Sequence, residues 1–335
     1  MPKYSIIVPV FNRPEETAEL LESLAKQSFK DFELLLVEDG SAQKSEHLVE
    51  QYAGDVEIKY FFKKNTGPGD SRNFGMKQAT GDYFLFFDSD CVLPEDYLQN
   101  LDDQLLNRNL DAFGGPDSAH ESFSDTQKAI NYAMTSFFTT GGIRGGKKQL
   151  DKFQPRSFNM GFSKDVYQKV GGFSDIHPGE DPDLSYRIMD AGFKVGLIRE
   201  AYVYHKRRID FGKYIKQVYK FGVVRVILNK WHPEKKGLVF YLPSLFLLGS
   251  VALLFGAVVL TSWMLVPLLF FAVLILFDSM LKTKSLFISI KAVLASFIQL
   301  YGYGYGFLKS FFLIKVLGKN EKEALPDFFM GKGKP

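Results

Sequence analysis

The sequence predicts an α/β domain with a mainly parallel sheet, followed by a helical membrane segment. Short apolar runs alternate with helical patterns through about the first 205 residues, and this alternation is typical of βαβ units. The stretch from Leu238 to Phe277 contains no charged residue and is about twice the length that one helix needs to cross a bilayer. Ten lysines and arginines but only two acids lie between Lys206 and Lys236, directly before that stretch.

The predicted strands are apolar runs bounded by turn residues, and helical spacing lies between them. Strands are expected at 4–10, 32–41, 56–62 and 82–90, and helices at 14–27, 70–79 and 94–107. Pro14 suits the first turn of its helix. A further helix is expected up to Gly192, with Asp181 as its N-cap because Pro182 follows at the first helical position.

Polar side chains follow the predicted strands at their carboxyl ends. In open α/β sheets, ligands bind beyond these ends. The rim that results is polar and acidic, and it consists of Asn12, Glu38, Asp39, Asp88 and Asp90.

The overall composition restricts the class of protein. The net charge of +3 does not indicate nucleic-acid binding, and the basic stretch before the apolar run is explained by anionic lipid. Cys91 is the only cysteine, so no intrachain disulfide can form. The N-terminal apolar run is too short for a signal peptide.

The apolar C-terminal part predicts a membrane anchor. We expect a domain boundary near residue 230, with residues 1–230 forming the α/β domain and 231–335 the membrane helices and a polar tail. Two spans are expected at about 238–259 and 263–281. The segment 286–308 contains Lys291 and three glycines, and we interpret it as interfacial or re-entrant, with a third crossing as the alternative. Basic residues on both flanks predict a multi-pass protein of the inner (plasma) membrane with its α/β domain in the cytoplasm.

Asp88 and Asp90 form the most specific chemical feature of the predicted sheet. They lie two residues apart after a wholly apolar strand, so both carboxylates can face one cation. Hard divalent cations prefer such oxygen ligands and neutralise the charge of a leaving nucleotide diphosphate. The alternative is a turn capped by acids.

With these residues in place, the chain resembles glycosyltransferase family 2, the inverting enzymes of GT-A fold. The matching segments occur in the family's order and cover about the first 205 residues: SIIVPVFNRPE (5–15), LLVEDGS (35–41), NTGPGDSRNFGMKQATGDYFLFFDSD (65–90), NMGFSKDVYQKVGGF (159–173) and GEDPDLSYRIMDAG (179–192). The family's usual D-D-G-S is E-D-G-S here, with Glu38 in the first position and Asp39 intact.

The resemblance implies a binding site for a nucleotide-diphosphate sugar, with UDP favoured, and a Mn²⁺ or Mg²⁺ cofactor. Asp90 would be the direct metal ligand, Asp88 would contact the ribose or the metal, and His205 would complete the metal site. Arg72 would pair with the diphosphate or with a rim aspartate, a structural ion pair being the alternative. The donor-binding residues implied are Pro9, Val10, Asn12, Arg13, Asp39, Arg72, Asp88 and Ser89.

The resemblance also implies an acceptor side. Asp181 would be the general base that takes the acceptor proton. Glu180 is the second catalytic candidate, with the role of an acceptor ligand favoured for it, and Asp183 is expected to be an exposed acid of the first turn. Asn159, Met160 and Gly161 match the family's acceptor-side loop, for which a glycine turn is the alternative. Residues 141–150, rich in glycine and basic residues, suit a loop closing over the donor phosphates, a flexible surface loop being the alternative.

The function that follows is inverting transfer of a sugar to the hydroxyl of a lipid-linked or cell-surface glycan precursor at a membrane. A processive polysaccharide synthase and a polyprenyl-phosphate glycosyltransferase are alternatives, although residues 217–221 (QVYKF) only weakly resemble the Q-x-x-R-W motif of processive synthases. An inactive sugar-nucleotide-binding module is the non-enzyme alternative. A nucleotidyltransferase is disfavoured because no Gly-rich phosphate loop follows the first strand.

Overall fold

The computed structural model describes residues 3–118, 123–141, 153–205 and 210–330. These residues group into two compact units. The first, here called the sheet unit, comprises the described residues of 3–118, 153–205 and 327–330. The second, the helical unit, comprises 123–141 and 210–326. Residues 210–230, which the sequence-based boundary groups with the sheet, belong to the helical unit in this grouping.

The strands all lie in the sheet unit. They are β1 (Tyr4–Val10), β2 (Phe32–Asp39), β3 (Ile58–Lys63), β4 (Tyr83–Phe87), β5 (Cys91–Val92), β6 (Ala112–Gly114), β7 (Asp117–Ser118), β8 (Asn159–Ser163), β9 (Val195–Leu197) and β10 (Val203–His205).

The helices of both units follow in chain order. They are α1 (Pro14–Ala25), α2 (His47–Tyr52), α3 (Pro68–Gln78), α4 (Tyr97–Arg108), α5 (Asp125–Thr135), α6 (Phe137–Thr140), α7 (Lys164–Val170), α8 (Glu180–Asp190), α9 (Phe211–Trp231), α10 (Leu242–Val259), α11 (Val266–Thr283), α12 (Leu286–Phe311) and α13 (Glu321–Ala324).

The main sheet has the order β3-β2-β1-β4-β8-β6-β9. β3, β2, β1 and β4 are parallel, β8 runs antiparallel to β4 and β6, and β9 is parallel to β6. The predicted mixed α/β class with a mainly parallel sheet is therefore confirmed. A small second sheet, β5-β10-β7, lies in the same unit.

The core of the sheet unit consists of two apolar clusters built from alternate strand residues. Ile6 and Val8 of β1 pack in the cluster that contains the leucines of α1, whereas Ile7 packs in the cluster that contains Leu184 of α8. Successive strand side chains point to opposite faces, so both faces are covered and β1 reads as a continuous apolar run.

The helical unit is organised around α12. This helix packs against α5, α9, α10 and α11, and small residues such as Ala292, Ala295 and Ser296 occupy its buried face. Three stretches of the described residues are long and apolar enough to cross a membrane: Leu238–Val259, Ser262–Thr283 and Leu286–Val316. The first two coincide with the predicted spans, and the third contains the segment predicted as interfacial.

Candidate active site

A histidine and two aspartates meet where the small sheet adjoins the end of β4. β10 pairs with β5 so that His205 lies opposite Cys91, the residue that follows Asp90. As a result, Nε2 of His205 lies 3.2 Å from Oδ1 of Asp90 and 3.9 Å from Oδ2 of Asp88. The imidazole stacks on Phe158 at a centroid distance of 4.9 Å. The pairing of two short strands thus brings together residues that are 115 positions apart in the chain.

Asp90 is a buried carboxylate that lies between the side chains of His205 and Arg13. Its exposed fraction is 8%, and its other oxygen accepts a hydrogen bond from Nη1 of Arg13. Burial alone would raise the pKa of Asp90, but His205 and Arg13 outweigh it and hold this pKa well below its usual value. The two carboxylates offer oxygen ligands of the kind that Mn²⁺ and Mg²⁺ prefer, and the side chains whose ligand atoms lie close enough to share one ion are those of Asp90, His205 and Cys91.

Arg72 joins the aspartate pair to the start of α8. Arg72 is 2% exposed. Its guanidinium donates from Nη2 to Asp88 Oδ1 at 2.6 Å and from Nη1 to Glu180 Oε1 at 3.2 Å. Of the alternatives for Arg72, the structure therefore contains the pair with a rim aspartate. This bridge brings the N-terminal turn of α8, with Glu180 and Asp181, to the aspartate pair.

Asp181 lies inside the first turn of α8 and is not its N-cap. The prediction of Asp181 as the cap was wrong, because Gly179 caps the helix with φ 120°, a conformation that favours glycine. The Asp181 carboxylate accepts a hydrogen bond from the Ser157 amide at 3.4 Å and lies 3.9 Å from Nη1 of Arg156.

The pKa values of the two acids at the start of α8 are shifted in opposite directions. Burial raises the pKa of Asp181 above its usual value; Arg156 opposes this shift, and the charge of Glu180 adds to it. Burial acts on Glu180 as well, but His177 and Arg72 outweigh it and lower its pKa to about 2. Asp183 is 4% exposed and pairs with Arg187 at 2.8 Å, so its prediction as an exposed acid was wrong.

The residues predicted to hold the nucleoside lie around the ends of β1 and β2. Asp39 accepts hydrogen bonds from the amides of Thr66 at 3.0 Å and Gly67 at 2.8 Å, and from Lys63 at 2.6 Å. Asn12, with φ 53°, accepts from the amides of Ala42 and Gln43. These contacts order the loops that follow both strands.

Glu38, the departure from the family pattern, is fully buried. It accepts hydrogen bonds from the Ser41 hydroxyl and from the Ser45 amide, the latter at 2.8 Å. It also accepts from the Tyr60 hydroxyl of β3 at 3.4 Å, so its contacts hold the loop after β2 in place. Of the other predicted donor residues, Val10 and Ser89 are buried and Pro9 is half-buried.

Asn159, Met160 and Gly161 lie in strand β8, so their prediction as a loop was wrong. Asn159 is fully buried, accepts a hydrogen bond from Tyr97 at 2.5 Å and donates to the Ala201 carbonyl at 2.9 Å. Met160 is also fully buried, and a Cβ at Gly161 would lie 2.6 Å from the ring of Phe113. The acceptor-side role of the three stays a prediction. Of the predicted phosphate loop 141–150, all but Gly141 lies outside the described residues.

Several neighbours of the site could not be found from the sequence. Arg156 and His177 reach Asp181 and Glu180 through the fold, and Oδ2 of Asp117 lies 4.0 Å from Nδ1 of His205. Cys91 lies beside Asp90 and His205, but burial raises the pKa of its thiol well above the usual value, so it is a poor ligand for a hard cation. Of these neighbours, the sequence indicates only His177, because it lies two residues before the GEDPD segment.

Comparison with known proteins identifies the family. Residues 5–171 match the sequence profile of glycosyl transferase family 2. Through this domain, the chain belongs to glycosyltransferase family 2. The predicted resemblance is confirmed, and the matched residues of this family 2 domain include the aspartate pair and Arg72.

Two curated relatives illustrate how much of the chain is shared. The poly(ribitol-phosphate) β-N-acetylglucosaminyltransferase TarS of Staphylococcus aureus is 38% identical over 104 residues, which are 30% of this chain and 18% of TarS. The minor teichoic acid biosynthesis protein GgaB of Bacillus subtilis is 27% identical over 214 residues, 62% of this chain and 23% of GgaB. This family 2 chain thus matches less than a quarter of either relative.

A solved structure supports the fold of this family 2 protein. The mannosyltransferase PcManGT from Pyrobaculum calidifontis, in complex with GDP-Man and Mn²⁺, aligns with a TM-score of 0.65 and 16% sequence identity, over 92% of this chain and 87% of PcManGT. The predicted GT-A fold is thereby confirmed.

Proposed function

We propose that this protein transfers a sugar from a nucleotide-diphosphate donor to an acceptor hydroxyl with inversion at the anomeric carbon. The observation that carries the proposal is the bridge made by Arg72, which joins Asp88 of the aspartate pair to Glu180 beside Asp181. Donor-binding and acceptor-activating groups of an inverting transferase must meet in one site, and this bridge supports that arrangement. The curated relative TarS, a β-N-acetylglucosaminyltransferase by name, supports sugar transfer as the reaction, and UDP is kept as the favoured nucleotide from the family resemblance alone.

The donor diphosphate would lie against Asp88, Asp90 and His205, which would hold Mn²⁺ or Mg²⁺. When bound, such a cation neutralises the negative charge of the leaving nucleotide diphosphate. The part of Arg13 is to balance the charge of buried Asp90 and to hold its orientation, as its hydrogen bond indicates. Asp39 and Asn12 order the loops at the nucleoside side through their backbone contacts.

Asp181 would take the proton of the attacking hydroxyl. A raised pKa makes its carboxylate a stronger base than an ordinary aspartate. Arg156, at 3.9 Å, opposes the rise in the pKa of Asp181. With a single base on the acceptor side, direct displacement inverts the anomeric configuration.

The decisive experiment measures release of nucleotide diphosphate and formation of product by the purified protein with Mn²⁺, across a set of sugar donors. We expect Asp90→Asn to abolish metal-dependent turnover. Asp181→Asn should bind the donor in calorimetry as the wild type does and lose transfer by a factor on the order of 10²–10⁴. Asp103→Asn, an exposed change on α4, is the matched control and should keep full activity.

Three results would contradict parts of this proposal. Full turnover in excess chelator would refute the metal requirement. A product of retained configuration would refute the single displacement. An active Asp181→Asn enzyme would refute only the assignment of the base.

We further propose that the acceptor is lipid-linked and that the protein is anchored in the inner membrane with its catalytic unit in the cytoplasm. Two crossings, α10 and α11, are proposed, with basic residues on both flanks. The surroundings of α12 support an interfacial position for it. Its Lys291 contacts Thr126 of α5 at 3.3 Å, and α9, which packs along it, carries exposed Lys213, Lys216 and Lys220.

Cysteine labelling after residue 320 tests this topology. We expect a cysteine placed after residue 320 not to react with a membrane-impermeant label added outside intact cells. A cysteine placed at Thr261, in the loop between the two spans, should react with it. An outside location of the C-terminal end would overturn the two-crossing proposal. Transfer to free soluble sugars as efficient as transfer to lipid-linked sugars would overturn the lipid-linked acceptor.

A further inference from the structure

The C-terminal segment Phe328–Met330 pairs with the segment that leads into α8. The His177 amide donates to the Phe328 carbonyl at 2.8 Å, and the Met330 amide donates to the Asp175 carbonyl at 2.7 Å. Ile176 and Phe329 form the antiparallel bridge between these two bonds. Because the side chains of Phe328 and Ile176 are 6% and 1% exposed, the pairing is packed as well as hydrogen-bonded.

His177 connects this pairing to the candidate active site. Its Nδ1 lies 3.2 Å from both carboxylate oxygens of Glu180. Glu180 in turn accepts from Arg72, and Arg72 donates to Asp88. A continuous series of contacts therefore runs from the C-terminal segment to the aspartate pair.

The buried links of this series depend on one another. Arg72 and Glu180 are 2% and 4% exposed, so their charges are stabilised chiefly by their partners in the protein. If His177 moves, Glu180 loses one of its two side-chain partners and is free to shift, and Arg72 is then oriented less firmly because Glu180 is one of its two acceptors. The hydrogen bond from Arg72 would then no longer fix the orientation of Asp88.

We propose that Phe328–Met330 is a positioning segment: it holds His177, and through Glu180 and Arg72 it sets the orientation of Asp88 and of the first turn of α8. This inference rests on the proposed transferase function, which it deepens. The segment acts through its backbone pairing, and the catalytic residues assigned above stay the same. Its loss lowers kcat about tenfold or more, because small displacements of catalytic groups are costly. KM for the donor changes less, because most of the proposed donor contacts, those of Asp90 and His205 at the diphosphate and of Asp39 and Asn12 at the nucleoside side, lie outside the series.

The test compares substitutions that differ only in the contact removed. Met330→Pro removes the amide that donates to Asp175, whereas Met330→Ala keeps that amide and removes only the side chain. His177→Ala removes the imidazole, whereas His177→Gln keeps a donor that can reach Glu180. Each full-length variant is measured for kcat, donor KM, melting temperature and hydrogen–deuterium exchange over residues 174–190.

We expect Met330→Pro to raise exchange over 174–190 and to lower kcat about tenfold, with donor KM within about twofold and the melting temperature close to that of the wild type. His177→Ala should lower kcat similarly, and His177→Gln should restore most of it. Equal losses in Met330→Ala and Met330→Pro would overturn the proposal, because the side chain and not the pairing would then act. Wild-type kcat in Met330→Pro or in His177→Ala would overturn it too.

Failure of the proposed function is a separate outcome. If the wild type transfers no sugar with any donor, the transferase proposal fails, but the exchange measurement still decides whether the pairing orders this segment. Exchange over residues 174–190 that is equal in the wild type and in Met330→Pro would overturn the positioning role by itself.

Discussion

In the sheet unit the most buried side chains are large, and Phe84, Phe86 and Phe113 are each at most 1% exposed. α10 of the helical unit shows the opposite pattern. Its buried residues are Pro243, Ser244, Ser250 and Gly256. Its outward residues are large and apolar, with Phe255 at 69% and Val258 at 87% exposure.

Close backbone contacts accompany the small residues of the helical unit. A Cβ at Gly222 of α9 would lie 2.1 Å from the carbonyl oxygen of Tyr303 in α12, and a Cβ at Gly306 would lie 2.2 Å from that of Tyr219. Helices can approach this closely only where a side chain is absent.

The difference between the sheet unit and α10 indicates two solvents. In water, large apolar side chains are driven inward, since burial contributes about 25 cal/mol per Å² of apolar surface. In lipid this driving force between helices is absent, and association depends on close packing and on polar contacts. In α10 the small residues face inward and the large apolar residues face outward. This arrangement agrees with a helix that is long and apolar enough to cross a membrane.

The largest expected effect is on stability, and it distinguishes a buried ring of the sheet unit from an exposed ring of α10. Phe86→Ala removes a fully buried ring from the sheet unit and should lower the free energy of unfolding by about 3–5 kcal/mol. Phe255→Ala removes an exposed ring of the same size and should change it by less than about 0.5 kcal/mol in detergent. Thermal unfolding in detergent measures both. Equal destabilisation by the two substitutions would break the comparison.

A smaller effect is expected at the helix contact. Gly222→Ala places a methyl group against the Tyr303 carbonyl, so α9 and α12 must separate, at a cost of about 1–3 kcal/mol. Gly249→Ala in α10 is the matched control, because no atom lies within 4 Å of its added Cβ. This control should be neutral or stabilise the helix by up to about 1 kcal/mol. If Gly222→Ala were as stable as the control, close packing would not hold this helix pair together.

The smallest expected effect concerns charge. Arg156→Gln removes the cation near Asp181, so the pKa of Asp181 should rise further from its already raised value. A base acts only when deprotonated, and the acid limb of the kcat–pH profile should therefore move to higher pH. A partly exposed pair contributes about 0.2–1 kcal/mol, so a shift of about 0.1–0.7 pH units is expected. Lys216→Gln, an exposed change in the helical unit, should shift nothing; a shift to lower pH in Arg156→Gln would contradict the assignment.

Local patterns predicted the elements well, because strand and helix signals depend on residues a few positions apart. Tyr4–Val10 and Pro14–Ala25 lie close to where the apolar runs and Pro14 indicated. The errors arose where a distant partner decides. Asn159–Ser163 became a strand because it lies between β4 and β6, and the N-cap of α8 moved to Gly179 because the chain adopts a positive φ there.

The sequence by itself determined the α/β class, the acidic rim and the apolar runs of the C-terminal part, since each is a property of neighbouring residues. Only the tertiary structure decided which distant groups meet. His205 reaches Asp90 through the pairing of β10 with β5, Arg72 contacts a glutamate 108 residues away, and Phe328–Met330 reaches His177 from the far end of the chain. Such contacts depend on strand order and on the packing of whole elements, and no spacing within a local segment encodes them.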